Sequence, residues 1–254
     1  MNGFERHNIF HSSASAINMW ADAPHMWVAK YLFGKSGKFG AAAKMGLLVE
    51  DAVVNVLARG IDAETAIATA EKEYTKFIAF GASEADTKRA DAIRPMAEGA
   101  LAALAEYGEP EFGRDVISGK LKQKEISLVC NGNGWTLPII GFIDFHFPKH
   151  GLIVDLKTTL RMPSEMSASH HRQACIYQKS FGNQAVKFLY CTPKKTQFFD
   201  CGDMTERLAE IKSILSRQEK FLSLGDAEVL RGVVPVVSGS FYDDADITKE
   251  LFEI

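Results

Sequence analysis

The chain has 254 residues, 46% hydrophobic and 24% charged, which excludes disordered and collagen-like classes. A chain of that length buries most of the surface its unfolded form exposes, so its core needs no disulfide or metal staple. The formal net charge of −3, from 29 basic and 32 acidic residues, argues against a protein that coats nucleic acid by electrostatics alone. It leaves room for an enzyme with a local basic groove around a metal-neutralised acidic centre.

The N-terminal part reads as helices. Ser12 or Ser13 can cap a short helix through Trp20, and Pro24 can open the next at its first position. A longer helix over 41–58 meets Gly60, and Asp62 caps one over 63–80 that ends at Gly81. Ser83 with Asp86 caps a run towards Tyr107, kinked or split at Pro95. From Lys120 the texture changes to alternation over 121–130, an NGNG turn at 131–134 and a second extended run over 135–147. Further strands are predicted over 152–157, 185–191 and 196–200, with a helix over 167–181 between the first two. Asp203 with Glu206 caps a last long helix carrying Leu208, Ile211, Leu215 and Leu222. The tail from Val233 reads as a docked irregular segment.

No apolar run reaches membrane-spanning length, the window 46–57 being broken by Glu50, Asp51 and Asn55. The N-terminal stretch lacks the apolar core of a signal peptide, so a cytoplasmic location and no membrane partner are expected. The four cysteines, Cys130, Cys175, Cys191 and Cys201, show no C-x-x-C spacing, which argues against a zinc ribbon or redox dithiol.

Chemistry concentrates in GFIDFHFPKHGLIVDLKTT, 141–159. Side chains alternate along a strand, so Asp155 and Lys157 share a face, roughly 7 Å apart along the chain, while Val154 and Leu156 point into apolar packing. Two strands joined by a short turn can bring Asp144, at the end of one, beside Asp155 on the next. Adjacent carboxylates raise each other's pKa unless a cation sits between them, and hard oxygen donors suit Mg²⁺ or Mn²⁺. A D-x-K triplet alone is usually a solvated pair. Burial inside apolar strands changes that reading, because buried charges are rare unless paired or metal-bound. His146 and His150 flank Pro148 in a turn, which disfavours a helical zinc pair. For His170 and His171 a solvated or capping role outweighs a place in the site. Lys120, Lys122 and Lys124 form either a phosphate track or a solvated sheet face. Trp20 with Trp27, and Phe198 with Phe199, read first as packing.

Gly141 to Asp144, IVDLKTT at 153–159, and a following helix with Gln173 and Tyr177 four apart resemble the pattern of RecB-type nucleases in the PD-(D/E)XK superfamily. The segment HSSASAINMWADAPHMWVAKYLFG is similar to that family's opening, and KMGLLVEDAV, with Gly46 and Glu50, to its G-x-x-x-[HE] helix. Together these motifs cover about 190 residues in the family's order. The resemblance implies an α/β restriction-endonuclease-like core, a small mixed β-sheet flanked by helices, in a single domain over 1–254. Its helical N-terminal part would span 1–115, the catalytic sheet core 116–202, and a C-terminal helix and tail 203–254. It implies Glu50, Asp144, Asp155 and the Leu156 carbonyl as metal ligands for Mg²⁺ or Mn²⁺. Lys157 is implied as the catalytic lysine, with Gln173 and Tyr177 orienting the site or the scissile strand. Glu50 stands where many relatives carry His. Ala23–Pro24 replaces the Cys–Pro of iron–sulfur members, so no iron–sulfur cluster is expected. The implied activity is metal-dependent hydrolysis of DNA, most like a phage-type recombination or repair exonuclease in the host cytoplasm, with DNA and a single-strand annealing or recombination protein as partners. A structure-specific endonuclease and a non-catalytic DNA-binding member are the alternatives.

Overall fold

The computed structural model describes residues 2–79, 81–114, 121–128, 136–182 and 184–253, with only the backbone described at Arg114, Leu121 and Lys122. Local capping chemistry sets most helix starts. Asn2 and Glu5 form a capping box that opens α1 (Gly3–Arg6), and the Ser13 hydroxyl accepts the Ala16 N–H to open α2 (Ala14–Asp22). Pro24 opens α3 (Pro24–Phe33), and α4 (Ala41–Arg59) stops at Gly60, whose φ of 64° suits glycine. Asp62 caps α5 (Ala63–Ile78), and a Ser83–Asp86 capping box starts α6 (Glu84–Leu104). Of the kink or split expected at Pro95, the split does not occur: α6 runs through it as one helix. Proline removes one helical donor, that of the Asp91 carbonyl, and Asp91 lies on the exposed face where water can serve instead.

Strands begin at β1 (Gly113–Arg114), earlier than the boundary expected at 116, and β1 pairs antiparallel with β2 (Leu121–Lys122). β3 (Lys124–Leu128) pairs antiparallel with β4 (Ile139–Ile143). The four-stranded sheet has the order β5 (Phe145–Phe147), β6 (Leu152–Thr158), β7 (Ala185–Cys191), β8 (Thr196–Asp200). Its central pair, β6 and β7, is parallel and is joined across one face by α7 (Ala168–Ser180). The NGNG turn, Lys120 and Cys130 lie outside the described residues.

Because β6 is buried on both faces, LIV at its start reads as a continuous apolar run rather than an alternation. Leu152, Val154 and Leu156 pack with Val49, Val53, Ile93 and Met96 of α4 and α6. Ile153 and Phe188 face the opposite core with Ile176 of α7, Trp27, and Ile211 and Leu215 of α8 (Thr205–Leu222). Each such side chain contributes about 1.5–3 kcal/mol, so a charge in place of Val154 would break the layer. The C-terminal region corrects the expected irregular tail. After α9 (Ala227–Val233), Asp244 accepts the Asp246 and Ile247 N–H groups and starts α10 (Ala245–Phe252), which seats Ile247 on α3. The architecture is mixed α/β, with small mixed sheets flanked by helices.

Candidate functional site

β4 ends at Ile143 and Asp144 is the bend after it, at a strand end as the sequence suggested, but β5 intervenes before the chain turns at 148–151. Before the bend the chain pairs with β3, and after it with β6. The β5–β6 register sets Phe145 opposite Val154, and one further step sets Asp144 opposite Asp155. Past that point β4 leaves β6, and the departing edge of β6 lacks a β5 neighbour. The Leu156 N–H on this edge donates instead to Asp144 Oδ2 at 2.8 Å. A residue's N–H and C=O point to the same side of an extended strand, so the Leu156 carbonyl faces the same gap.

Asp144 and Asp155 are 7% and 1% exposed, deep enough that unpaired charge would be costly. Lys157 Nζ stands 2.5 Å from Asp155 Oδ1, as strand alternation predicts for positions two apart. That ammonium donates to Oδ1, which is buried and has no other partner. From α7, Gln173 Nε2 donates to Asp155 Oδ2 at 2.8 Å and to the Tyr177 hydroxyl at 2.7 Å. The Tyr177 hydroxyl donates in turn to the Phe142 carbonyl at 2.6 Å, tying α7 to β4. From α4, Glu50 reaches the same cluster while its neighbour Asp51 stays exposed. Gly46 permits that approach: a Cβ there would sit 3.1 Å from the Thr158 hydroxyl at the end of β6. Gln123, between β2 and β3, donates to Glu50 Oε1 at 2.7 Å and to Asp144 Oδ1 at 2.8 Å. Only the amide nitrogen can serve two carboxylates, which fixes the orientation of that side chain.

The electrostatics record the crowding. Burial, then the charges of Asp155 and Glu50, hold Asp144 well above the usual carboxylate range. Burial also raises Asp155, against the pull of Lys157. Burial, Asp155 and Asp51 push Glu50 up to about 7. Burial alone would lower Lys157, but Asp155 and Asp144 outweigh it and keep the ammonium charged. Three carboxylates thus compete for too little positive charge.

Among the described residues no group of three His, Cys, Asp or Glu side chains converges as a ready cation cage. The Gln123 amide explains part of this, since it stands between Glu50 and Asp144 and neutralises neither. The donor set nevertheless fits a hard divalent cation: a carboxylate oxygen on Asp155 that meets only the Lys157 ammonium, two further carboxylates, and a strand-edge carbonyl at Leu156.

No family model matches the chain, and no curated protein matches it. A solved structure described as "Crystal structure of SSO0001" is similar at 18% identity, covering 70% of this chain and 85% of that one, with a TM-score of 0.34. A likeness at that score carries no argument about fold or function.

Six side chains singled out from the sequence (Glu50, Asp144, Asp155, Lys157, Gln173 and Tyr177) are therefore gathered in one place, with the Leu156 backbone. Gln123 was missed, for nothing in KLKQKEIS separates it from a solvated strand residue. His170 corrects the expectation of a solvated role. It stacks on Phe188 and bonds the Tyr190 hydroxyl beside Lys157, and burial followed by the Lys157 charge lowers its pKa to about 4. His146 is a buried structural group held by Glu111 and Gln184. Lys124 pairs with Glu111, so it is no free phosphate contact. Trp20 and Trp27 pack edge to face at 5.2 Å, as core aromatics do. The buried Cys175, Cys191 and Cys201 are free thiols. Among the described residues no helix is long and apolar enough to cross a membrane.

Proposed function

We propose that this chain is a divalent-metal-dependent nuclease with a restriction-endonuclease-like core, hydrolysing DNA phosphodiesters, most simply as an exonuclease in recombination or repair. The observation that carries the reading is the buried Asp155–Lys157 pair facing Asp144 and Glu50 where β4 leaves β6. Three carboxylates with raised pKa values, gathered around one lysine that opens onto a cleft, mark a functional site more readily than a structural ion pair.

Glu50, Asp144, Asp155 and the Leu156 carbonyl would hold Mg²⁺ or Mn²⁺, which supplies Lewis acidity and lowers the pKa of water. Lys157, fixed by Asp155, holds the nucleophile or offsets charge growing on the scissile phosphate. Gln173 keeps Asp155 oriented, and Tyr177 keeps Gln173 oriented. Two clefts adjoin at this centre, one of about 400 Å³ bearing Lys30, Tyr31 and His11, the other of about 660 Å³ bearing Lys157 and Arg161. Ser15 and Gln173 line both, so a strand passing from one to the other runs over Gln173, whose amide holds Asp155 beneath it.

The test is end-labelled linear duplex incubated with purified protein in Mg²⁺, in Ca²⁺ and in excess EDTA. Degradation in Mg²⁺ alone is expected, because Ca²⁺ fills oxygen sites but acidifies water poorly. Undiminished cleavage in EDTA would remove the mechanism. A covalently closed circle beside the linear DNA separates an exonuclease from an endonuclease.

A further inference from the structure

The C-terminal segment forms the outer wall of the larger cleft. Between α9 and α10 the chain turns at Gly239, whose N–H donates to Asp243 Oδ2 at 2.9 Å, and Asp243 Oδ1 stands 3.4 Å from the fully buried His25. The turn is thus anchored at its base. At its tip Phe241 is 90% exposed, the most exposed large hydrophobic side chain among the described residues, and it meets Tyr242 edge to face at 5.3 Å. Both rings line the cleft together with Lys157 and Arg161, with Glu165 as the one carboxylate among its lining residues. An anchored turn that holds an aromatic face in water gains nothing for the core. An aromatic face, an arginine and hydroxyl-bearing walls are the components of a nucleotide-binding platform.

We propose that this cleft is a nucleotide subsite, in which Phe241 stacks on an unpaired base and Arg161 takes an adjoining phosphate. The inference rests on the nuclease reading above and specifies its substrate: the strand is single where it leaves the carboxylates on the Lys157 side. A volume of about 660 Å³ suits one or two nucleotides. A base reaches such a pocket only by leaving the duplex stack, which costs least at a strand already unpaired. Lys157 belongs to both the acidic centre and the cleft, so a base on Phe241 sets the register of the phosphate behind it.

The experiment is done in Ca²⁺, which fills the oxygen sites without supporting cleavage. A short oligodeoxynucleotide carries a fluorescent base analogue at each position in turn, and its emission is followed as protein is added. With the wild-type protein, emission is quenched at one or two adjacent positions of the single strand and at none in a fully paired duplex. Phe241→Ala abolishes the quench and weakens binding roughly 5- to 150-fold, the range for loss of one stacked base, while Phe241→Trp retains it. Arg161→Ala weakens binding and lowers the slope of log affinity against log salt by about 0.7, as one lost phosphate contact does on a single strand. Uniform emission at every position, from a protein that degrades DNA in Mg²⁺, overturns the subsite and leaves the nuclease reading standing. A protein that neither binds the oligonucleotide nor degrades DNA overturns both. Equal quenching by wild-type and Phe241→Ala protein places the base elsewhere and ends the role given to the turn.

Discussion

Glu50 offers a measurement on the metal-free protein alone. Its pKa is raised from the ordinary 4.5 to about 7 by burial and by the charges of Asp155 and Asp51. Between those values the native chain keeps a proton that the unfolded chain has lost, so stability falls as pH rises through the window. At 1.36 kcal/mol per pH unit the whole effect is about 3 kcal/mol, and partial exposure with salt screening reduces it to about 1–2 kcal/mol. Glu50→Gln keeps an acceptor for Gln123 and removes the charge. In EDTA the variant should match the wild type near pH 4 and be more stable near pH 8 by that amount, about 2–8 °C in Tm for a chain of this size. Urea and thermal unfolding at the two pH values measure the difference. With Mg²⁺ at the higher pH the order should reverse, because the wild type gains binding energy that the variant lacks. Equal stability at both pH values would show that Glu50 is a solvated helix charge. A variant destabilised equally at both would make it a packing residue.

Further outcomes follow from the same geometry. Lys157→Ala should lose cleavage by orders of magnitude while metal-dependent DNA binding persists; parallel loss of both, read by gel shift beside cleavage, would make the lysine a phosphate anchor. Tyr177→Phe deletes a hydroxyl that bonds both Phe142 and Gln173, so urea unfolding should show a loss of about 1–2 kcal/mol. It should also lower kcat more than DNA affinity, since Gln173 then holds Asp155 less firmly. Gly46→Val should push α4 from β6 and raise the Mg²⁺ concentration needed for half-maximal activity, with metal titrations of the two proteins as the check.

Much of the site was legible because its spacing is local. Two residues apart on a strand fixes Asp155 and Lys157 on one face, and four apart on a helix fixes Gln173 and Tyr177. A short connection places Asp144 near Asp155. The 100° step between Glu50 and Asp51 allows only one of them inward. What stayed hidden depends on pairing between distant segments. Gln123 gains its role only once β3 lies on β4, and no periodicity marks it. His170 was misread because its neighbours Phe188 and Tyr190 arrive from the next strand. Pro95 looked like a break because the rule weighs one lost hydrogen bond without the α4 and α5 packing that supports α6 on both sides of it. Helix α10 escaped because it has only eight residues and its cap, Asp244, stands in a run of acids that reads as a polar tail.

The two glutamine bridges span long stretches of chain. Gln123 joins residues 73 and 21 positions away, and Gln173 reaches back 18 positions to Asp155. Closing such contacts costs loop entropy, and their reward, a cluster of mutually repelling acids, gives no return before the apolar layers are in place. The carboxylate centre should therefore assemble after the folding barrier has been crossed. Neutralising Glu50 or Asp144 would then alter the rate of unfolding and leave the rate of folding nearly unchanged, with φ-values close to zero, whereas truncating Val154 or Phe188 would slow folding itself. A chain built this way can vary its chemistry without relearning how to fold.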